Sequence, residues 1–120
     1  MPASIIAPYL KIQAALAADS LDGVKANAGE LTTAATSLGS PAFQIGTTAA
    51  QLTAAVELSD ARGKFARLSD VIITYMDGLQ LVAPQGVEVI SCETTNQRWL
   101  QDGSSVSNPY DPASNCGTRR

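Results

Sequence analysis

Apolar side chains return every three or four residues through most of residues 1–82, and that period commits this part of the chain to helices that bury one face. Ile5, Tyr9, Ile12 and Leu16 step 4, 3, 4. Pro8 falls in the first turn of a helix starting near Ile6, where proline is tolerated. After a cap at Asp19 or Ser20, Leu21, Val24, Ala28, Leu31, Ala35 and Leu38 step 3, 4, 3, 4, 3 before Gly39 and Pro41. Ile45, Ala49, Leu52 and Val56 mark a third helix with a Gln/Thr polar face. Ser59 offers a cap to a fourth, in which Ala61, Phe65, Leu68, Ile72, Tyr75 and Leu79 step 4, 3, 4, 3, 4. No glycine or proline separates Val56 from Asp60, so the last two segments read either as two helices or as one bent helix.

Four such seams joined by short links predict an all-α fold, an antiparallel four-helix bundle. Aromatics are only 5% of the chain and alanine is abundant, so the helices must meet through small side chains. At 120 residues the chain fits a single domain spanning 1–120.

Beyond Pro84 the period changes. Val87 and Val89 alternate with Glu88 and Ile90 in a β-branched run that fits a short strand or extended segment. Residues 93–120 are rich in Thr, Asn, Ser, Gly, Pro and Asp and read as turns, with Asp102-Gly103 and Asn108-Pro109-Tyr110-Asp111-Pro112 as breakers. The expected division is a helical bundle over 1–82 and a short extended or irregular tail over 83–120 packed upon it. Trp99, Val106 and Tyr110 are the side chains able to anchor that tail.

Eight basic residues against eleven acidic ones, a net charge of −3 and no basic cluster before Arg119-Arg120 argue against nucleic acid as a partner. No apolar run reaches the roughly 20 residues of a membrane span. Histidine is absent, which removes the usual neutral-pH general base and the commonest metal ligand. Ser59, Ser69 and Ser91 have no histidine to activate them, and there is no glycine-rich phosphate loop, so the expectation is a protein that is not an enzyme. Asp60, Arg62, Lys64, Arg67 and Asp70 on the fourth helix read as a solvated face, with Asp60 and Lys64 spaced for a surface ion pair.

Three stretches carry a resemblance: Tyr9-Leu10-x-Ile12-x-x-Ala15-Leu16-Ala17-x-Asp19, then Ala61-Arg62-x-x-Phe65-x-x-Leu68-Ser69, then Cys92-x6-Trp99-Leu100-Gln101 with Asn108-Pro109-Tyr110 and Cys116-Gly117. Together they resemble the DUF3347 family, a bacterial domain found alone in exported proteins and fused to periplasmic adaptor subunits of copper and silver efflux systems. The resemblance implies a periplasmic or secreted protein whose signal peptide has been removed, and a soft-metal site of thiolates and thioethers suited to Cu(I) or Ag(I). The chain departs from the family where the thioethers would sit. Glu93 and Thr94 replace the Pro-Met after the first cysteine, and no methionine lies between Tyr110 and Cys116. Met76 reads as core or near-core on the fourth helix.

The candidate site is therefore Cys92 and Cys116, either as two-coordinate metal ligands or as a disulfide, with unpaired thiols the remaining alternative. The corresponding functions are an exported accessory domain binding Cu(I) or Ag(I), and a structural or protein-interaction domain with a disulfide in place of a metal site. A metal-efflux component or another exported protein is the expected partner.

Overall fold

A computed structural model describes residues 1–103 and 105–120. Its elements are α1 (Ala3–Ala17), α2 (Leu21–Leu38), a 3-10 turn (Ser40–Ala42), α3 (Phe43–Thr53), α4 (Leu58–Gly78), β1 (Val87–Cys92), β2 (Gln97–Asp102) and β3 (Thr118–Arg119).

The four helices are present, but the all-α expectation is wrong. β1 pairs antiparallel with β2 from Val87↔Asp102 to Cys92↔Gln97, and β3 joins the other edge of β1 at Ile90↔Arg119 and Ser91↔Thr118, giving a sheet of order β2-β1-β3. The fold is mixed α/β, and residues expected to be an irregular tail form two of its three strands. β2 escaped the sequence pattern because Trp99, Leu100 and Gln101 are all buried in succession, which erases the polar/apolar alternation of a strand with one wet face.

Sequence chemistry accounts for both ends of α2. Ser20 caps α2, its Oγ accepting from Gly23 N at 3.3 Å, and Gly39 terminates it at φ 80°, a conformation that glycine adopts without steric cost. The α3 helix stops at Thr53, so Val56 is not a seam residue but lies 81% exposed in the link to α4. That link makes α3 and α4 separate helices. The cap position of α4 is Glu57 rather than Ser59, whose Oγ instead donates to Glu57 Oε1 at 2.9 Å. Because α1 begins at Ala3, Pro8 sits inside the helix rather than in its first turn; its ring is buried.

Ile5, Tyr9, Ile12, Leu16, Val24, Ala28, Leu31, Ala49, Leu52, Ala61, Phe65, Leu68 and Ile72 are all fully buried, as their spacing predicts. Toward the end of α4 the buried stripe continues through Ile73 and Met76, while Tyr75 is half-buried and Leu79, just past the helix, is 56% exposed. Small residues hold the helices close: Ala28, Ala35, Ala42 and Ala49 are buried, and a Cβ on Gly46 would stand 3.5 Å from that of Ala35.

Each helix packs on the next, and β2 packs on both α4 and α1. The sheet thus sits where the first and last helices approach each other. Tyr9 of α1 stacks on Phe65 of α4 at 4.9 Å, and one continuous apolar cluster includes Val89, Ile90, Trp99 and Leu100 of the sheet.

Candidate functional site

Cys92 ends β1 and Cys116 precedes β3, so the return of the chain to pair with β1 brings the two sulfurs together. They form a disulfide, with Cα atoms 5.4 Å apart across 24 residues of sequence. Cys92 is 2% exposed, whereas Cys116 is only half-buried. Gly117, next in the chain, passes so close to the sheet that a Cβ there would stand 2.6 Å from Val106 Cγ1 and 2.8 Å from Ile90 Cγ2. Glycine is therefore the residue that lets the chain reach the bond.

The segment between the sheet and Cys116 is held by side-chain amides. Gln101 accepts from Trp99 Nε1 at 2.9 Å and Ser107 N at 3.0 Å, and donates to Ser105 O at 2.6 Å. Asn108 accepts from Tyr110 N at 2.9 Å and Asp111 N at 3.2 Å, and donates to Cys116 O at 3.2 Å. Gln13 of α1 donates to Ser107 O at 2.7 Å. The carbonyls of Ser105, Ser107 and Cys116, which no strand satisfies, thereby gain donors. Trp99 and Tyr110 anchor the tail as expected, in edge contact at 5.8 Å, and Tyr110 also meets Phe65 at 5.9 Å. Val106 closes over the site where Gly117 passes.

Arg62 is the residue that sequence reasoning missed. Far from lying on a solvated face, it donates to Pro109 O at 2.9 Å and Leu16 O at 2.8 Å, and pairs with Asp19 at 2.6 Å. It joins α1, α4 and the tail. The Asp60–Lys64 pair is as expected, at 3.0 Å, and its hydrogen bond holds the Asp60 carboxyl below the usual range. Ser69 is fully buried.

Ser69 links two tyrosines that close the outer edge of β2. Leu100 N donates to Tyr9 Oη at 3.0 Å, Tyr9 Oη lies 2.6 Å from Ser69 Oγ, Tyr110 Oη lies 3.3 Å from Ser69 Oγ, and Tyr110 donates to Arg98 O at 2.7 Å. A carbonyl can only accept, so Tyr110 donates to Arg98 O, the shorter of its two contacts, while Tyr9 and Ser69 share a hydrogen bond that either hydroxyl can donate. This chain occupies edge groups that would otherwise be open to strand pairing. Burial raises both phenols above the usual tyrosine value, so they stay protonated.

Beside the disulfide lies an open groove of about 610 Å3, lined by Gly63, Cys92, Thr94, Gln97, Tyr110 and Cys116 among others. More of its exposed wall is apolar than polar, and the polar lining includes Arg62, Thr95, Asn108 and Asp111. Among the described residues no three His, Cys, Asp or Glu side chains group to hold a metal ion, and Met76 is buried in the helical core, 3% exposed. An oxidised pair presents no thiolate, so the cysteines in this state do not fit a resident soft-metal ion; reduced, they would offer a two-coordinate thiolate set without thioethers. At the chain end, Arg120 clasps Asp77 with both nitrogens at 3.0 and 2.9 Å, lowering the Asp77 carboxyl, and Arg119 pairs with Glu88.

No helix among the described residues is long and apolar enough to cross a membrane. No family model, curated protein or solved structure matches this chain.

Proposed function

We propose that this chain is an exported domain, periplasmic or secreted, that binds another exported protein rather than transforming a substrate, with Cys92–Cys116 as the clasp that fixes its binding surface. The disulfide is the observation that carries the reading, because such bonds persist in oxidising compartments and this one joins the chain end to the rim of the groove. The resemblance to the DUF3347 family supports the export and points to a metal-efflux component as the partner. Gln44, Thr47 and Gln51 add an exposed polar face on α3.

Closing a loop across 24 residues stabilises by about 3.5 kcal/mol in the chain-entropy model. Protein freshly isolated from an oxidising compartment should therefore gain the mass of two hydrogens on reduction, and its melting temperature should fall by about 10 °C or more. Free thiols in air-exposed protein would refute the clasp.

The close approach of the two cysteines also supports a second reading, confined to the reduced protein: Cys92 and Cys116 as thiolate ligands of Cu(I) or Ag(I). Anaerobic titration of reduced protein with Cu(I) against a competing chelator tests it. Binding no tighter than that of a Cys92→Ser variant would end this reading and leave the clasp standing.

A further inference from the structure

The two halves of the disulfide are not equivalent. Cys92 lies in the sheet, 2% exposed, its strand paired on one side with β2 and on the other with β3. Cys116 is half-buried on an irregular segment whose neighbours Ser114 and Asn115 are half-buried and exposed, and it lines the groove. Thiol–disulfide exchange proceeds by in-line attack of a thiolate on one sulfur, with the other leaving along the bond axis. Solvent-borne thiolate reaches Cys116 from the groove side. Cys92 also borders the groove, but at 2% exposure it offers an incoming thiolate far less surface than half-buried Cys116.

We propose that Cys116 is a thiol-exchange site, whose ligand is a small thiol or a dithiol reductant entering through this groove. The thiolate bonds to Cys116 Sγ, the Cys92–Cys116 bond breaks, and Cys92 departs as a thiolate that takes a proton from water. A second thiol of the reductant, or a second thiol molecule, then attacks the reductant's own sulfur and releases Cys116. The reductant leaves as a disulfide, having given two electrons. The groove lining suits such a visitor: Thr94, Thr95 and Gln97 offer hydrogen-bonding side chains along it.

Reduction at this site is local, because the residues around it have other anchors. Gln101, Asn108, Gln13 and Arg62 hold the stretch from Ser105 to Tyr110 through hydrogen bonds that do not involve sulfur, and Arg120 is paired with Asp77. Exchange therefore requires no global unfolding.

The inference rests on the clasp reading, and one experiment separates them. Oxidised full-length protein is alkylated directly, to detect any free thiol, and a second sample is treated with glutathione, quenched with acid, alkylated and mapped by peptide mass. The expected result is no alkylation in the first sample and, in the second, glutathione on Cys116 with the alkyl group on Cys92, in about tenfold excess over the reverse arrangement. Free thiols in the first sample overturn the clasp and the exchange site together; equal or reversed labelling in the second overturns the exchange site alone. A Gly63→Gln variant adds a readout that labelling does not give. No atom lies within 4 Å of a Cβ built at Gly63, and Gln favours helix over Gly, so the side chain enters the groove without loss of stability. It should slow glutathione exchange by about fivefold or more, and an unchanged rate would mean that the groove is not the route.

Discussion

Gly117 shows how a single missing carbon decides where a chain can run. Its lack of a Cβ lets the backbone cross Val106, Ile90 and Trp99, the last of which would stand 3.2 Å from an added methyl. Ile90 and Trp99 are fully buried side chains of a packed interior and Val106 is half-buried against it, so these neighbours cannot withdraw cheaply. Gly117→Ala should therefore destabilise the protein by about 1–3 kcal/mol, the usual cost of overpacking, measured by urea unfolding of the oxidised protein. Gly63→Ala is the control. It meets nothing within 4 Å and should be neutral or slightly stabilising.

At the scale of elements, Arg62 does the joining that no strand or helix ladder provides. It bonds the last turn of α1 through Leu16 O and the tail through Pro109 O while standing on α4, and its side chain is 19% exposed. Lys64, one turn away from the same helix start, has only the surface pair with Asp60. The contrast gives a comparative prediction. Arg62→Met should cost about 2 kcal/mol, in the range of charge-assisted hydrogen bonds, whereas Lys64→Met should cost less than about 0.5 kcal/mol. Equal losses in urea titrations of the two variants would remove Arg62 from its joining role. The sheet depends on similar local devices: Gly103 takes φ 89° at the end of β2, and Asn96 takes φ 56° in the turn before it, a conformation that Asn tolerates.

The whole molecule carries a pH signature from the hydroxyl chain under β2. Tyr9 and Tyr110 have raised values in the fold, chiefly through burial, while in the unfolded chain a tyrosine titrates near about 10. The folded protein thus retains protons that the unfolded chain gives up. Its stability from this source is fully present below about pH 10 and is lost as pH rises above it. Thermal melts should show a steepening decline above about pH 10, with tyrosinate absorbance appearing together with unfolding. The decline should be shallower in a Tyr9→Phe/Tyr110→Phe protein, even though that variant starts from a lower melting temperature through its lost hydrogen bonds. Identical slopes in the two proteins would contradict the assignment.

Residue spacing alone placed four helices, chose most of their buried faces and located β1, because those patterns are local: a period of 3.6 or of 2 is written in neighbouring residues. The sequence also singled out Cys92 and Cys116 as the candidate site, and Trp99 and Tyr110 as anchors. It did not disclose β2 or β3. The sides of β2 are covered by distant partners, Leu100 by burial in the common core, Trp99 by the returning tail and the β2 edge by Tyr9 and Tyr110, so the alternation that marks a strand has no exposed face to appear on, while β3 is an exposed strand of two residues, too short to carry a period. Arg62 was misread for the same reason, since a charge on a helix looks solvated until another segment presents its carbonyls. Only the tertiary structure brought β3 alongside β1 and so closed the two cysteines into a bond, because pairing across 24 residues depends on where the intervening chain is anchored and not on any pattern within it.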